Sequence, residues 1–515
     1  MDMPRQLLEC DLLIIGGGIN GVGIARDAAG RGLSVVLCEK DDLGAHTSSA
    51  SSKLIHGGLR YLENREFGLV RKALIEREVL LRAAPHIMWP MRFVLPHDRG
   101  QRPAWMIRTG LFLYDSLARR DLLPGSQSVD LRSHPAGDPL KAEFTRGFVY
   151  SDGWVDDARL VALSAVDAAA KGARILTRTA CTAVERVGSR WSATLWGQDG
   201  AAWSVSARAL VNAAGPWAAQ VLELASKRGA ARPLRLIKGS HIVVPRMFDH
   251  PYAYIFQHPD GRIVFAIPFQ GEFTLIGTTD IEYHGDAGTV AISSEEITYL
   301  CDLSARYFSR PVTPADVVWS YSGVRPLVED EASDASSVTR DYKLELEAGT
   351  APLLSVLGGK ITTFRKLAEE AVDLIAPLLS ARGERWTADA CLPGGDLYGS
   401  APCKRAVLEF DSFVQALQQR YAWLPPVLMA RYARAYGTRT ELLLAGRNCI
   451  ADMGDEVTSG LYEAEIDYLV EHEWARTAAD ILWRRTKLGL RAPPGAEAAL
   501  DARLAQRVTR RRTQA

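Results

Sequence analysis

A chain of 515 residues can bury a large core, and its length favours two or three domains over one. Its 61 Lys and Arg are matched by 61 Asp and Glu, so the net field gives no basis for bulk nucleic-acid binding and any basic surface must be local. The seven cysteines are scattered, with no CxxC and no Cys/His pairing at metal spacing, which argues against a metal site and for a reducing compartment.

The N-terminus runs directly into an apolar strand without the charged and apolar regions of a secretory leader, so no export is expected. No uninterrupted run of about 18 apolar residues appears, so a bilayer-spanning helix is not expected either. Residues 11–40, "DLLIIGGGINGVGIARDAAGRGLSVVLCEK", then give a buried parallel strand, a glycine turn, a small-residue helix and a second strand closing on an acid. Gly16 permits a tight turn, Gly18 lets backbone amides approach a pyrophosphate, and Gly21 lets the helix pack closely on the strand. Glu39 sits where a carboxylate accepts the ribose hydroxyls of an adenosine and disfavours a 2′-phosphate. This unit alone leaves NAD and FAD open.

Further along, "RPAWMIRTGLFLYDSLARR" (102–120) has Pro103 at a first helical position, a set of large apolar residues and arginines at its ends and at Arg108. Pattern alone is compatible with a core helix or with one lying in a membrane interface. "ALVNAAGPW" (209–217) reads as a strand ending in small residues at Gly215, where backbone can pack against a nucleotide. "SHIVVP", "YAYIFQ", "RIVFAIPF" and "FTLIGTTD" are short strands separated by turn signals, as an antiparallel meander requires. "LLSVLGGKITTFRKLAEEAV" (353–372) is another strand, glycine turn and helix, whose N-terminus suits the electron-rich end of a reduced flavin. Three nucleotide-facing turns point to one long cofactor, FAD. Glycine and proline cluster in "LPGGDLYGSAPC" (392–403), and beyond it the periodicity is helical.

The stretch "HTSSASSKLIHGGLRYLE" (46–63) resembles the flavin-contacting segment of respiratory FAD-dependent glycerol-3-phosphate dehydrogenases, in the D-amino-acid-oxidase-like flavoprotein group. The resemblance continues through "YSDGWVDDARLV" (150–161), "RLIKGSHIVVP" (235–245), "TLIGTTDIEY" (274–283), "WSYSGVRPL" (319–327), "TRDY" (339–342), "LGGKITTFRKLAE" (357–369) and the C-terminal 462–490 segment. It implies an α/β fold with a discontinuous Rossmann-like FAD-binding domain (1–90, 148–235 and 350–390). An insertion carries the candidate membrane-surface helix (91–147), an antiparallel β-sheet forms the substrate domain (236–349), and the C-terminal domain is α-helical (393–515).

The implied reaction is oxidation of sn-glycerol 3-phosphate to dihydroxyacetone phosphate, with hydride passing from C2 to flavin N5 and electrons going on to a membrane quinone such as ubiquinone. The implied setting is the cytoplasmic face of a bacterial inner membrane, as a monotopic or peripheral protein, and also the cytoplasm, with a homodimer among the implied assemblies and no nucleic-acid partner. The closing "RVTRRRTQA" is either a disordered tail or adds attraction to anionic lipid. A dianionic phosphate asks for guanidinium or ammonium groups, and Arg60, Arg325, Arg340 and Lys360 lie in the matching motifs. Arg325, fixed between a glycine turn and a proline, is the first choice among them, and it can also stabilise a developing alkoxide. Arginine stays protonated and is a poor proton acceptor, so a histidine fits better: the resemblance favours His241 for this role, while His56 near the flavin is read as a flavin or backbone contact. Thr278 is a candidate substrate contact and Asp280 an orienting one.

The cofactor contacts so implied are Gly16, Gly18, Ile19, Asn20, Gly21, Glu39 and Lys40 at the adenosine end, with Gly215 and Trp217. Thr47, Ser48, Ser49, Ser51, Ser52, Lys53, His56, Gly57, Gly58 and Leu59 come from the serine-rich stretch, with Lys53 adding positive charge. Gly359, Lys360, Ile361 and Thr362 complete the set. His46 departs from the family pattern; related flavoproteins can carry FAD on a histidine, but non-covalent FAD is expected here. Three other readings share the fold: an oxygen-using glycerol-3-phosphate oxidase, an amine or amino-acid oxidase, and a non-catalytic flavin redox sensor.

Overall fold

The computed structural model describes residues 6–62, 65–98, 102–226, 234–257, 262–328, 341–381 and 383–514, with no side chain described at Arg60 or beyond 507. The first strand, Gln6–Ile15, runs parallel to Val35–Cys38 on one side and to Ala202–Asn212 on the other. Leu12, Leu13 and Ile14 are fully buried, as a strand covered on both faces demands. The sheet continues outward to Arg174–Leu176 at one edge and through Leu353–Leu357 to Lys343–Glu347 at the other. One face is covered by the helices Ile19–Gly30, Asp157–Ala170 and Phe364–Ile375. These helices approach closely because they meet through small residues such as Gly23, whose added Cβ would lie 3.0 Å from the Phe364 ring.

A second sheet, of ten strands among the described residues, carries the meander: Leu234–Pro245 pairs with Phe273–Gly277, which pairs with Ile263–Phe269, which pairs with Ala253–Gln257. The sheet reaches further back in the chain than the proposed boundaries. Met88–Pro96 and Arg146–Val155, assigned above to the nucleotide domain and the insertion, pair with each other antiparallel, and Met88–Pro96 joins Ala253–Gln257 in parallel. The physical reason is long-range pairing: an apolar strand does not reveal which of two sheets receives it. The insertion therefore begins and ends inside the substrate sheet, and its helix Ala104–Ser116 lies against that sheet through Leu111 and Tyr114.

The C-terminal region folds into helices including Phe410–Arg420, Pro426–Tyr436 and Glu463–His472 around their own apolar core. Buried ion pairs join it to the nucleotide domain: Arg485 forks onto Asp42 at 2.7 and 2.9 Å, and Arg159 pairs with Glu473. Removing one member of such a pair would leave an uncompensated buried charge, so the two domains are held as a unit.

His86 is fully buried at this seam, and burial together with the charges of Arg159, Arg434 and Arg439 lowers its pKa from the ordinary 6.5 to about 3. Above pH 6.5 the ring is neutral folded or unfolded; between 6.5 and about 3 only the unfolded chain takes the proton, so stability is lost as pH falls through that window. Urea unfolding of the protein and of His86→Leu should therefore diverge in pH dependence. Between about pH 7.5 and pH 5 the variant should lose about 2 kcal/mol less, and parallel curves would contradict the assignment.

Candidate active site

A cavity of about 580 Å³ runs from the glycine turn of the first sheet to the floor of the second. At one end, Gly16 adopts φ +116°, and a Cβ there would lie 2.4 Å from the Ala213 carbonyl oxygen. Gly21 does not line the cavity; a Cβ on it would lie 1.9 Å from the Gly16 carbonyl oxygen, so its role is to let helix and turn touch. Gly18, Ile19 and Asn20 line the cavity at the helix N-terminus, where the dipole and amides favour an anion. Ser48 also lies here, its Oγ accepting the Ile19 N–H at 3.0 Å.

Glu39 is buried on the cavity wall and accepts the Gly17 and Asp41 N–H groups at 2.7 and 2.8 Å. Burial raises its pKa, and those two hydrogen bonds counter the rise. The Lys40 Nζ stands 3.7 Å over the Trp217 ring, and His46 meets the same ring edge-on at 4.6 Å. His46 also places Nε2 2.8 Å from Asp41 Oδ2. Glu39, Asp41 and His46 offer ligand atoms within 4.8 Å of one another, and both Glu39 oxygens, Asp41 Oδ2 and His46 Nε2 already make the contacts just named.

Thr47, Ser51, Ser52 and His56 line the cavity, as do Gly215, Gly359, Lys360, Ile361 and Thr362. Five residues of the serine-rich stretch have other roles. Lys53, expected to present charge to the flavin, is fully buried and pairs with Asp157 at 2.9 Å; burial forces that charge to be neutralised locally. Ser49 bonds the His46 carbonyl oxygen, the Gly57 N–H donates to the Tyr114 hydroxyl at 2.8 Å, a Cβ on Gly58 would strike the Tyr61 ring, and Leu59 packs against the apolar cluster beside the substrate sheet. The Arg60 side chain and Arg340 lie outside the described residues.

At the other end, His241, Arg325 and Thr278 lie together: a Cβ on Gly239 would meet Arg325 Nη2 and Thr278 Oγ1 at 2.6 and 2.7 Å, and the Arg325 charge acts on His241. His241 is 2% exposed, stacks on Tyr321 at 4.8 Å and has Nε2 2.9 Å from Ser52 Oγ, while its buried Nδ1 has no hydrogen-bond partner among the described residues. Burial, then the charges of Lys53 and Arg325, hold its pKa well below the ordinary value, so the imidazole is neutral. Arg325 donates from Nη2 to Asp280 at 2.6 Å and to the Thr279 carbonyl at 3.1 Å. The Lys360 Nζ sits 3.4 Å over the Tyr61 ring.

Several contributors carried no recognised signal. Gly239 and Gly277 make room: a Cβ on the first would lie 2.6 Å from Arg325 Nη2, and one on the second 2.1 Å from the His241 ring. The adjacent motif words "KGSH" and "IGTT" could have flagged them as close-approach glycines. Thr179–Thr182, Gln220 and Leu224 close the adenosine end from a hairpin strand and a helix that no motif marks.

The residues present fit FAD. The glycine cradle admits no side chain, and two buried polar atoms without partners among the described residues, Asn20 Oδ1 and His241 Nδ1, belong to residues on the cavity wall. Fold and site together define a flavin-dependent oxidoreductase. Residues 11–365 match the FAD dependent oxidoreductase family, and 386–508 match the C-terminal domain of alpha-glycerophosphate oxidase. The chain belongs to this FAD-dependent oxidoreductase family, in the group that contains the glycerol-3-phosphate dehydrogenases, and its cofactor is FAD.

It is 54% identical to a glycerol-3-phosphate dehydrogenase of Pseudomonas aeruginosa, over 95% of this chain and 94% of that one. It is 52% identical to a D-erythritol 1-phosphate dehydrogenase of Brucella abortus, over 93% and 94%. The crystal structure of a glycerol-3-phosphate dehydrogenase from Bacillus halodurans complexed with FAD superposes with a TM-score of 0.74 at 27% identity, covering 93% of this chain and 86% of that one.

Proposed function

We propose that this enzyme oxidises sn-glycerol 3-phosphate to dihydroxyacetone phosphate and returns the electrons to a membrane quinone. The observation that carries the reading is a neutral buried histidine beside a guanidinium fixed on Asp280, both in the lining of one cavity. FAD, when bound, supplies the two-electron acceptor. His241, neutral and in the cavity lining, takes the C2 hydroxyl proton, while Ser52 and Tyr321 fix the ring. Arg325, anchored on Asp280, binds the phosphate with Lys360 and, from the motif, with Arg60 and Arg340. Thr278 and the Gly239 gap shape the space between them.

No helix among the described residues is long and apolar enough to cross a membrane. Ala104–Ser116 instead leaves Trp105, Met106, Phe112 and Leu113 exposed along one face, with Arg119 and Arg120 following. That is the arrangement of a helix lying in an interface, with arginines at lipid phosphates, and it supports quinone rather than oxygen as acceptor. The relatives described above, named as dehydrogenases, point the same way.

D-Erythritol 1-phosphate is the second substrate to be weighed, because the relative named for it is almost as similar as the first. Quinone reduction measured with both compounds decides: kcat/KM at least about tenfold higher for sn-glycerol 3-phosphate supports the proposal, and the reverse order replaces its substrate. In the same preparation Trp105→Ser/Phe112→Ser should abolish sedimentation with anionic vesicles, and unchanged binding would remove the helix from the account.

A further inference from the structure

We infer that Glu296, outside the cavity, is a positioning residue for the phosphate-binding end of the site, acting through Thr279. The inference rests on the substrate reading above. Glu296 is the third residue of helix Ser294–Tyr307 and closes the capping box with Ser293, whose N–H it accepts at 2.9 Å. An ordinary capping glutamate is exposed, whereas this one is 2% exposed and bonded well beyond its cap. Its Oε1 accepts the Ser240 and Thr279 hydroxyls at 2.8 and 2.7 Å, and its Oε2 lies 2.6 Å from Lys238 Nζ. Burial raises its pKa, but Lys238, the Ser293 N–H and the two hydroxyls outweigh that and hold it below the ordinary carboxylate range.

Two of these partners, Ser240 and Thr279, lead toward the cavity. Ser240 precedes His241 on its strand, and its hydroxyl also meets Ser322 Oγ at 2.8 Å on the neighbouring strand, the strand that carries Arg325. Thr279 accepts the Ser240 N–H on the same hydroxyl that it donates to Glu296. Its carbonyl oxygen, in turn, receives both Arg325 Nη2 at 3.1 Å and the Thr278 hydroxyl at 3.0 Å. One buried carboxylate thus sets the peptide on which two cavity-lining side chains rest. A networked, fully satisfied polar cluster of this kind is stiff, and stiffness is what a guanidinium needs to meet a phosphate in one geometry.

The test uses the FAD-loaded enzyme and follows KM and kcat separately. Glu296→Gln and Thr279→Val should each raise KM for sn-glycerol 3-phosphate by roughly tenfold, with kcat within about twofold and flavin per chain unchanged. Thr279→Ser, which keeps the hydroxyl, should restore the parent KM, and the double variant should cost no more than the worse single one. Should Glu296→Gln fail to fold, the Thr279 pair carries the test alone. A KM within twofold of the parent in Thr279→Val, or a loss confined to active fraction and thermal stability, overturns the inference. A parent inert toward the substrate overturns the substrate reading and this inference together, whereas variants that fail beside an active parent bear on Glu296 alone.

Discussion

His241→Asn is expected to lower kcat by roughly 10²–10⁴-fold while KM, flavin content and fold stay near those of the parent. Asparagine keeps a polar side chain of smaller reach beside Tyr321 and Ser52 but cannot accept a proton, so only the proton-removal step suffers. Arg325 is held by Asp280 and Lys360 stands over the Tyr61 ring, so the groups assigned to the phosphate keep these anchors in the variant and substrate affinity should survive. The pH dependence follows from the depressed pKa. Acidification through the ordinary histidine range, near 6.5, should not protonate His241 in the free enzyme, so kcat/KM should not fall there on its account. A variant with near-parental kcat would remove His241 from its role.

Gly21→Val should yield a folded chain with on the order of a tenfold or greater fall in bound flavin. The added Cβ would sit 1.9 Å from the Gly16 carbonyl oxygen, a contact between two pieces of backbone that no rotamer change relieves. The turn must open, and with it the cradle in which Gly16 already approaches Ala213. Gly110→Ala is the control: nothing lies within 4 Å of its added Cβ, it sits in helix Ala104–Ser116, and it should keep its flavin. Absorbance of bound flavin against protein concentration reads both variants, and full loading of Gly21→Val would contradict the packing argument.

Much of this site was legible because its chemistry depends on local words. Gly16, Gly18 and Glu39 fall within one strand–turn–helix–strand unit, and all three line the cavity. His241 and Arg325 lay in motifs on adjacent paired strands, Ile237 opposite Arg325 and His241 opposite Tyr321, so two separate words describe one surface. What failed was burial. The word "SSK" shows a lysine near the cofactor but not Asp157, which arrives from a helix about a hundred residues away and turns that lysine inward. Sheet membership failed for the same reason, since Met88–Pro96 and Arg146–Val155 are assigned by partners rather than by their own composition. Glu296 looks like a helix cap in sequence, and only the packing of its helix against the strand Leu234–Pro245 shows that it reaches Thr279.

The central claim is that this flavoenzyme takes electrons from sn-glycerol 3-phosphate and gives them to quinone. Mixing the oxidised, FAD-loaded enzyme with that compound without oxygen, and following the flavin absorbance near about 450 nm, tests it most directly. The account predicts prompt bleaching, with colour restored by a soluble quinone and only slowly by air. A fully loaded flavin that keeps its colour would contradict the substrate, and rapid recovery in air with release of peroxide would contradict the acceptor.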